Sequence, residues 1–188
     1  NGMVTRLAGS FSETGYVDAS QGDARFDGIY GLTTDNEGNV YVADRLNQAI
    51  RKITKNGNVS TFLDLSSLHV GVLSVLCDDT GGLYILATNG LGHIVSYKDK
   101  SKDDIEDLYF FPDKVNVIDG WKIDMKSGDI YFLWVDAVNS GQAIFRFSKA
   151  NGKTFSAKNM INFYASIAVL SPGILAVLDN GKITRFVF

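Results

Sequence analysis

"GLTTDNEGNVYVADRLNQAIRKITKNGNVSTFLDL", residues 31–65, contains four short segments in which apolar and polar residues alternate: 31–34, 39–43, 49–54 and 58–63. The stretches between them, DNEG, DRLNQ and NG, are rich in residues that form tight turns. Four short antiparallel strands with tight connections are typical of one blade of a β-propeller. The stretch therefore predicts an all-β fold built from repeated four-stranded sheets.

The same pattern recurs along the chain, as expected of a repeat architecture. The Asp-Gly-Tyr positions of the first turn, Asp35, Gly38 and Tyr41, correspond to Asp78, Gly81 and Tyr84 in the next repeat, and Gly128 and Tyr131 follow in the third. The third strands align at Ile50, Ile94, Ile144 and Ile183, and three residues later at Ile53, Tyr97, Phe147 and Phe186. Large side chains at matched positions predict packing between neighbouring blades.

The first residues, NGMVTRLAGS, match the fourth strand of the repeat, which begins NGNVSTFLDL at position 56. We therefore expect residues 2–8 to pair with 182–187, so that the N-terminal strand completes the last blade and protects two sheet edges. The expected organisation is one propeller domain over 1–188 with four blades. Their bounds are about 26–65, 66–111, 112–160, and 161–188 plus 1–10.

Composition excludes several classes of function. Among 188 residues, 18 Lys and Arg face 21 Asp and Glu, giving a formal charge of -3. This balance argues against a nucleic-acid partner, which needs a concentrated positive surface. No apolar run approaches the roughly 20 residues that span a bilayer, so no membrane insertion is expected. The single cysteine, Cys77, follows an apolar segment and is expected to be a buried, unreactive thiol.

Residues 3–55 resemble the NHL repeat, a propeller-blade motif. The matching positions are Ala8-Gly9, Gly15-Tyr16-Val17-Asp18, Ala24-Arg25-Phe26, Gly31, Asp35, Gly38 to Asp44, Asn47 and Ile50-Arg51-Lys52-Ile53. The chain departs from the motif at Ile29, where proline is usual, and at Gln48-Ala49, where His-Arg is usual. The resemblance implies a propeller of a secreted, periplasmic or cell-surface protein of a bacterium.

Residues with catalytic or metal-binding chemistry are scarce. His69 and His93 have no second His or Cys at ligand spacing, so no metal and no cofactor are expected. No nucleophile elbow is present. Asp35 and Gly38 are interpreted as a structural turn. Asp44 is interpreted as a strand-ending residue that accepts hydrogen bonds from the next loop or pairs with Arg51.

Loops that join the second strand to the third, and one blade to the next, gather on one face of a propeller. The ranges expected there are 11–26, 44–48, 88–93 and 136–142, with a further approach near Trp121. The candidate ligand-binding residues are Arg45, Asn47, Asn89, His93, Trp121, Asp136 and Asn139. Amides orient ligands and aromatic rings stack on them. The opposing interpretation is a solvated polar rim with its aromatic residues packed between blades.

These features favour a non-catalytic recognition or scaffold module that binds a protein or a glycan through its loops. The alternative is a propeller hydrolase or lyase with its site on the channel axis. The chain is expected to be a monomer, or a homodimer if an incomplete ring pairs with a second copy.

Overall fold

The computed structural model describes residues 2–90, 92–101, 103–112, 115–136, 141–148, 153–160, 165–179 and 182–187. The chain forms two compact units. Unit 1 comprises Asn1–Gly90 and Ile94–Tyr109, and unit 2 comprises Leu91–His93 and Phe110–Phe188. Each is described separately below.

The first two sheets are antiparallel, with strands in sequence order. Sheet 1 consists of β1 (Ile29–Thr34), β2 (Val40–Asp44), β3 (Ala49–Ile53) and β4 (Val59–Asp64). Sheet 2 consists of β5 (Gly71–Cys77), β6 (Leu83–Thr88), β7 (Gly92–Lys98) and β8 (Glu106–Pro112). The four strands predicted within 31–65 are thus confirmed, with small shifts at their ends. Turn-forming residues separate the strands, as the sequence predicts.

Unit 2 continues the pattern. Its four-stranded sheet contains β9 (Val115–Ile123), β10 (Ile130–Asp136), β11 (Gly141–Ser148) and β12 (Lys153–Met160). A further sheet contains β13 (Ala165–Ser171), β14 (Ile174–Asp179) and β15 (Lys182–Val187). Apart from two three-residue 3₁₀ turns, Gln21–Asp23 and Ser66–Leu68, the regular structure of the described residues is entirely β. No described helix is long and apolar enough to cross a membrane.

The cores lie between sheets. In unit 1, Tyr41 and Ile50 of sheet 1 pack with Val75 and Ile85 of sheet 2 in one buried cluster. The opposite face of sheet 1 is covered by residues of the segment 8–26, which precedes β1. Ala24 of this segment has no exposure. In unit 2, a cluster of the same kind joins β10 and β11 to β13 and β14. Alternate strand residues therefore supply both faces, as in stacked sheets.

The repeat positions are structurally equivalent. Tyr41, Tyr84 and Tyr131 are 2%, 0% and 0% exposed, and Ile50 and Ile144 are fully buried. The turn glycines of the three repeats all have positive φ, for example +81° at Gly38. Ile183 differs from its predicted equivalents, because it is 78% exposed. It lies on β15, at one side of the sheet formed by β13 to β15.

The N-terminal segment differs from the prediction. Residues 2–8 form no strand, and the sheet of β13–β15 has three strands among the described residues. Directly after these residues, and within unit 1, the Gly9 N–H donates to the Gln21 carbonyl at 2.8 Å. The Arg6 guanidinium lies over the ring of Phe11, 5.5 Å from its centroid. Closure of a ring by residues 2–8, which the match to the fourth strand of the repeat predicts, stays a prediction.

The turn between β1 and β2 is organised by Asp35. Its Oδ1 accepts the N–H groups of Glu37 and Asn39 at 3.0 and 2.9 Å, and Gly38 donates to its carbonyl at 3.1 Å. Burial disfavours ionisation of Asp35, but hydrogen bonds from Asn39, Glu37 and Tyr41 outweigh it and lower the pKa of its carboxyl. The Asp78 carboxylate makes equivalent bonds to Thr80 and Gly82 in the next repeat.

Candidate functional site

Three connections gather at one end of the sheets of unit 1. The pairs Asp44–Ala49 and Ala49–Asp64 place the β2–β3 turn and the end of β4 together. The pair Gly71–Thr88 places the start of β5 beside the end of β6. Residues 65–70 link the two sheets here, and the Leu65 N–H donates to the Gln48 carbonyl at 2.9 Å. We call residues 45–48, 65–70 and 89–90 the loop end.

Arg45 is the cation of the loop end. Its guanidinium lies over the ring of Tyr30, 4.4 Å from the centroid. Arg45 is half-buried, and Tyr30 is 61% exposed. The neighbouring Leu46 is 63% exposed. The geometry is that of a cation–π contact, which holds the guanidinium against the ring.

Asn47 is engaged within the fold. Its Nδ2 donates to the Gly15 carbonyl at 2.8 Å and to Asp44 Oδ2 at 2.9 Å. Both amide hydrogens are therefore used to hold residue 15 against the β2–β3 turn. The residue positions the loop end, and its oxygen is the part of the amide that remains for a ligand.

Beneath the turn lies a buried charge network centred on Arg51. Arg51 and Asp44 have no side-chain exposure, and Arg51 Nη1 donates to Asp44 Oδ2 at 2.8 Å. The other guanidinium nitrogens reach Asp18 Oδ1, at 2.5 Å from Nη2, while the carbonyls of Val17 and Arg25 accept further bonds. A planar guanidinium with five donors is suited to binding several oxygens at once.

The network fixes the segment 11–26, which precedes β1, to sheet 1. Aromatic rings of Tyr16 and Phe26 lie 4.8 and 5.0 Å from the Arg51 guanidinium carbon. Asp44 Oδ1 also accepts the Asp27 N–H at 2.8 Å. Asp44 thus both accepts bonds from neighbouring loops and pairs with Arg51. The sequence gives a signal for the pair, since the two residues lie on adjacent strands, but none for the participation of Asp18.

A pocket of about 130 Å³ opens beside the loop end. We call it the Asp107 pocket. Its apolar walls are Leu65, Leu68, Val70, Ile85, Ala87 and Ile105, and its polar groups are Asn89, Ser96 and Asp107. The Ser96 hydroxyl donates to Asp107 Oδ1 at 2.5 Å. Apolar walls with a few convergent polar groups are the usual composition of a small-ligand site.

A larger apolar groove of about 900 Å³ follows the other face of sheet 1. It is lined by the N-terminal segment together with Phe26, Leu32 and Val40. Its acidic member Glu13 is already paired with Arg25. The groove offers contact area, whereas the groups that orient a ligand are concentrated at the loop end.

The remaining predicted residues are Asn89 of unit 1, Trp121 of unit 2, and three residues whose side chains lie outside what is described. Asn89 is exposed at the loop end and lines the Asp107 pocket. Trp121, on β9 of unit 2, is 8% exposed, and its Nε1 has no hydrogen-bond partner among the described residues. The backbones of His93 and Asp136 belong to β7 and β10, but their side chains lie outside the description, as does Asn139. Arg45, Asn47 and Asn89 are therefore the predicted residues that unit 1 brings to one end.

The described residues contain no group of three or more His, Cys, Asp or Glu side chains arranged to hold a metal ion. Cys77 is buried. Its burial, and to a smaller extent the nearby carboxylates of Asp78 and Asp35, raise the pKa of its thiol to about 11.

Comparison with solved structures identifies the fold. Virginiamycin B lyase from Staphylococcus aureus matches with a TM-score of 0.56 and 19% identity, over 86% of this chain and 56% of that one. An auxiliary nutrient binding protein from Bacteroides thetaiotaomicron matches at 0.62 and 16%, over 96% and 44%. YCF48 bound to D1 peptide matches at 0.62 and 11%, over 88% and 52%.

These neighbours are β-propeller proteins, so the predicted fold class is confirmed. The chain spans about half the length of each of them. Neither a protein-family model nor a curated protein matches the chain. Enzymes and binding proteins both occur among the neighbours, which at these identities share the fold alone.

Proposed function

We propose that this chain is an NHL-type β-propeller recognition module whose loop end binds a protein or carbohydrate partner. The observation that carries the proposal is the support beneath Arg45. The Arg51–Asp44 pair is fully buried under the turn that presents Arg45 and Leu46. A surface fixed before binding loses less conformational entropy when the partner docks, so more of the contact energy appears as affinity.

The composition of the surface supports the same assignment. Arg45, Tyr30, Leu46 and the 55%-exposed Leu68 present a guanidinium, an aromatic ring and two aliphatic side chains. Arginine and tyrosine are enriched where binding energy concentrates in protein interfaces. Neighbours with a bound peptide and with a nutrient-binding description agree with a partner of either class.

The resemblance to the NHL repeat also supports a place on the cell surface or in a secreted fraction. Loops on a rigid propeller scaffold are the usual place for recognition in such a fold. We therefore include secretion or surface display in the proposal.

The test is a binding screen with a matched pair of variants. Labelled chain is applied to peptide and glycan arrays, and the best ligand is titrated against wild type, Arg45→Ser and Lys55→Ser. Both substitutions remove one positive charge, but Lys55 is exposed in the turn after β3, at the other end of sheet 1. We expect Arg45→Ser to weaken binding at least about tenfold, and Lys55→Ser to leave it unchanged.

Equal affinity of wild type and Arg45→Ser, with unchanged thermal unfolding of both, would place the binding surface elsewhere. Turnover of an array ligand by the wild-type chain would instead support the hydrolase or lyase interpretation.

A further inference from the structure

The Asp107 pocket combines one carboxylate, one hydroxyl and one amide with walls that are otherwise aliphatic. Leu65 and Val70 are 4% and 3% exposed, and Ala87 is 5% exposed. Its volume of about 130 Å³ equals that of about four water molecules in the liquid. An unbranched chain of a few carbons suits walls that are mainly aliphatic.

Asp107 supplies the charge of the pocket. Its Oδ1 is occupied by the Ser96 hydroxyl, which is itself on a residue only 7% exposed. No described residue forms an ion pair with Asp107. Asp107 Oδ2 can only accept hydrogen bonds, and the Ser96 oxygen can accept one while its own proton is donated to Asp107. A ligand in this pocket must therefore donate hydrogen bonds.

We infer that the Asp107 pocket binds a primary ammonium group carried on a short aliphatic chain. The ammonium donates to Asp107 Oδ2 and to the Ser96 oxygen, while the aliphatic stem contacts Ile85, Ala87 and Val70. A lysine side chain of a protein partner and a free alkylamine share this chemistry. The inference rests on the proposed function, since it assigns a ligand group to a pocket of the same loop end.

The hydrogen bond from Ser96 favours ammonium over guanidinium. A guanidinium binds carboxylate most strongly through two parallel bonds, one to each oxygen. Oδ1 already accepts the Ser96 hydroxyl at 2.5 Å, so a bidentate guanidinium would have to share that oxygen with Ser96. A compact ammonium with three donors needs only a single carboxylate oxygen and a neighbouring hydroxyl.

The test uses small probes and needs no identified partner. n-Butylammonium chloride is titrated into ¹⁵N-labelled full chain at constant ionic strength, and backbone amide shifts are followed. We expect saturable shifts centred on Ala87, Ser96 and Asp107. 1-Butanol, the neutral analogue, and ethylguanidinium are each expected to bind at least about tenfold more weakly.

Asp107→Asn keeps the size and an oxygen acceptor for Ser96 but removes the charge, and we expect it to weaken n-butylammonium binding about tenfold or more. Asp104→Asn is the matched control, because Asp104 lies in the β7–β8 connection, is exposed as Asp107 is, and does not line the pocket. Its affinity should equal that of wild type. Thermal unfolding of both variants verifies that the fold is retained.

Equal binding to wild type and Asp107→Asn, shifts that fail to saturate, or ethylguanidinium binding as tight as n-butylammonium would overturn the inference. An acetylated, amidated Ala-Lys-Ala peptide distinguishes the sources. Binding about tenfold tighter than that of n-butylammonium upholds the inference with a protein lysine, and equal binding upholds it with a free amine. Failure of the n-butylammonium experiment does not change the interpretation of the Arg45→Ser experiment, and failure of the Arg45→Ser experiment does not change the interpretation of the n-butylammonium titration.

Discussion

Arg51 Nη1 and Asp44 Oδ2 are 2.8 Å apart, and neither side chain is exposed to solvent. Removing one partner of such a buried pair leaves an uncompensated charge, at a cost of roughly 3–5 kcal/mol. We expect Arg51→Met to lower the free energy of unfolding by about that amount, measured by urea denaturation. Arg51→Lys should rescue little of it, because an ammonium cannot reach Asp18, Asp44 and two carbonyls together. Full stability of Arg51→Lys would contradict the proposed geometry.

The turn at Gly38 gives a second prediction. Gly38 has φ of +81°, and a Cβ placed there meets no atom within 4 Å. The cost of a side chain is therefore backbone strain and not a clash. We expect Gly38→Val to lower the free energy of unfolding by about 1–3 kcal/mol. Gly38→Asn should cost less, because asparagine tolerates the left-handed region. Equal losses for the two variants would show that side-chain crowding, and not φ, decides.

The pH dependence of stability follows from Asp18. Burial raises the pKa of its carboxyl, but the Thr61 N–H and the Arg51 guanidinium outweigh this effect and lower the pKa below 3.8. A lowered folded-state pKa stabilises the protein above the unfolded value, and that stabilisation is lost as pH falls through the folded value. We expect Asp18→Asn to be less stable than wild type near pH 7, with the difference shrinking below about pH 4.

A stability difference that stays constant from neutral to acidic pH would remove ionisation of Asp18 as its cause. The variant Thr61→Ala is a check on this explanation. The backbone N–H of residue 61 donates to Asp18 Oδ2 at 2.8 Å, and this hydrogen bond persists when the side chain is removed. That variant should retain most of the acid dependence.

Cys77 is expected to be chemically silent in the folded protein. Its side chain is 2% exposed, and burial with nearby carboxylates raises the pKa of the thiol to about 11. Because the thiolate is the reactive form, a disulfide reagent at pH near 8 should label Cys77 only after unfolding. Labelling of the native chain at the rate of a free thiol would contradict the packing of Cys77 between the two sheets of unit 1.

The predictable part of this molecule is the part encoded by neighbours in sequence. The strands of sheet 1 and the Asp35–Gly38 turn follow from alternation and from hydrogen bonds that span a few residues. The repeat made Tyr84 and Tyr131 predictable as core residues in the same way.

Long-range contacts were not predictable from those rules. Asp18 reaches Arg51 across 33 positions, and Asn47 donates to the Gly15 carbonyl across 32. The Asp107 pocket requires residues from three strands and three connections to converge. At residues 2–8, the match to the fourth strand of the repeat was expected to give a strand, but the segment forms none, and Arg6 contacts Phe11 instead.

Hydrogen bonds anchor the segment 9–26 at two points. Gly9 bonds to Gln21, and Gly15 bonds to Asn47 and Phe26. Between these two fastenings, Phe11 stands 92% exposed, and Ser12 to Thr14 are also at the surface. Such a tip, with both stems secured, tolerates insertions. A foreign epitope or a fluorophore-binding peptide inserted at residues 11–12 would be displayed at the surface without disturbing folding. The anchoring of this segment at both ends therefore makes it a site for peptide display.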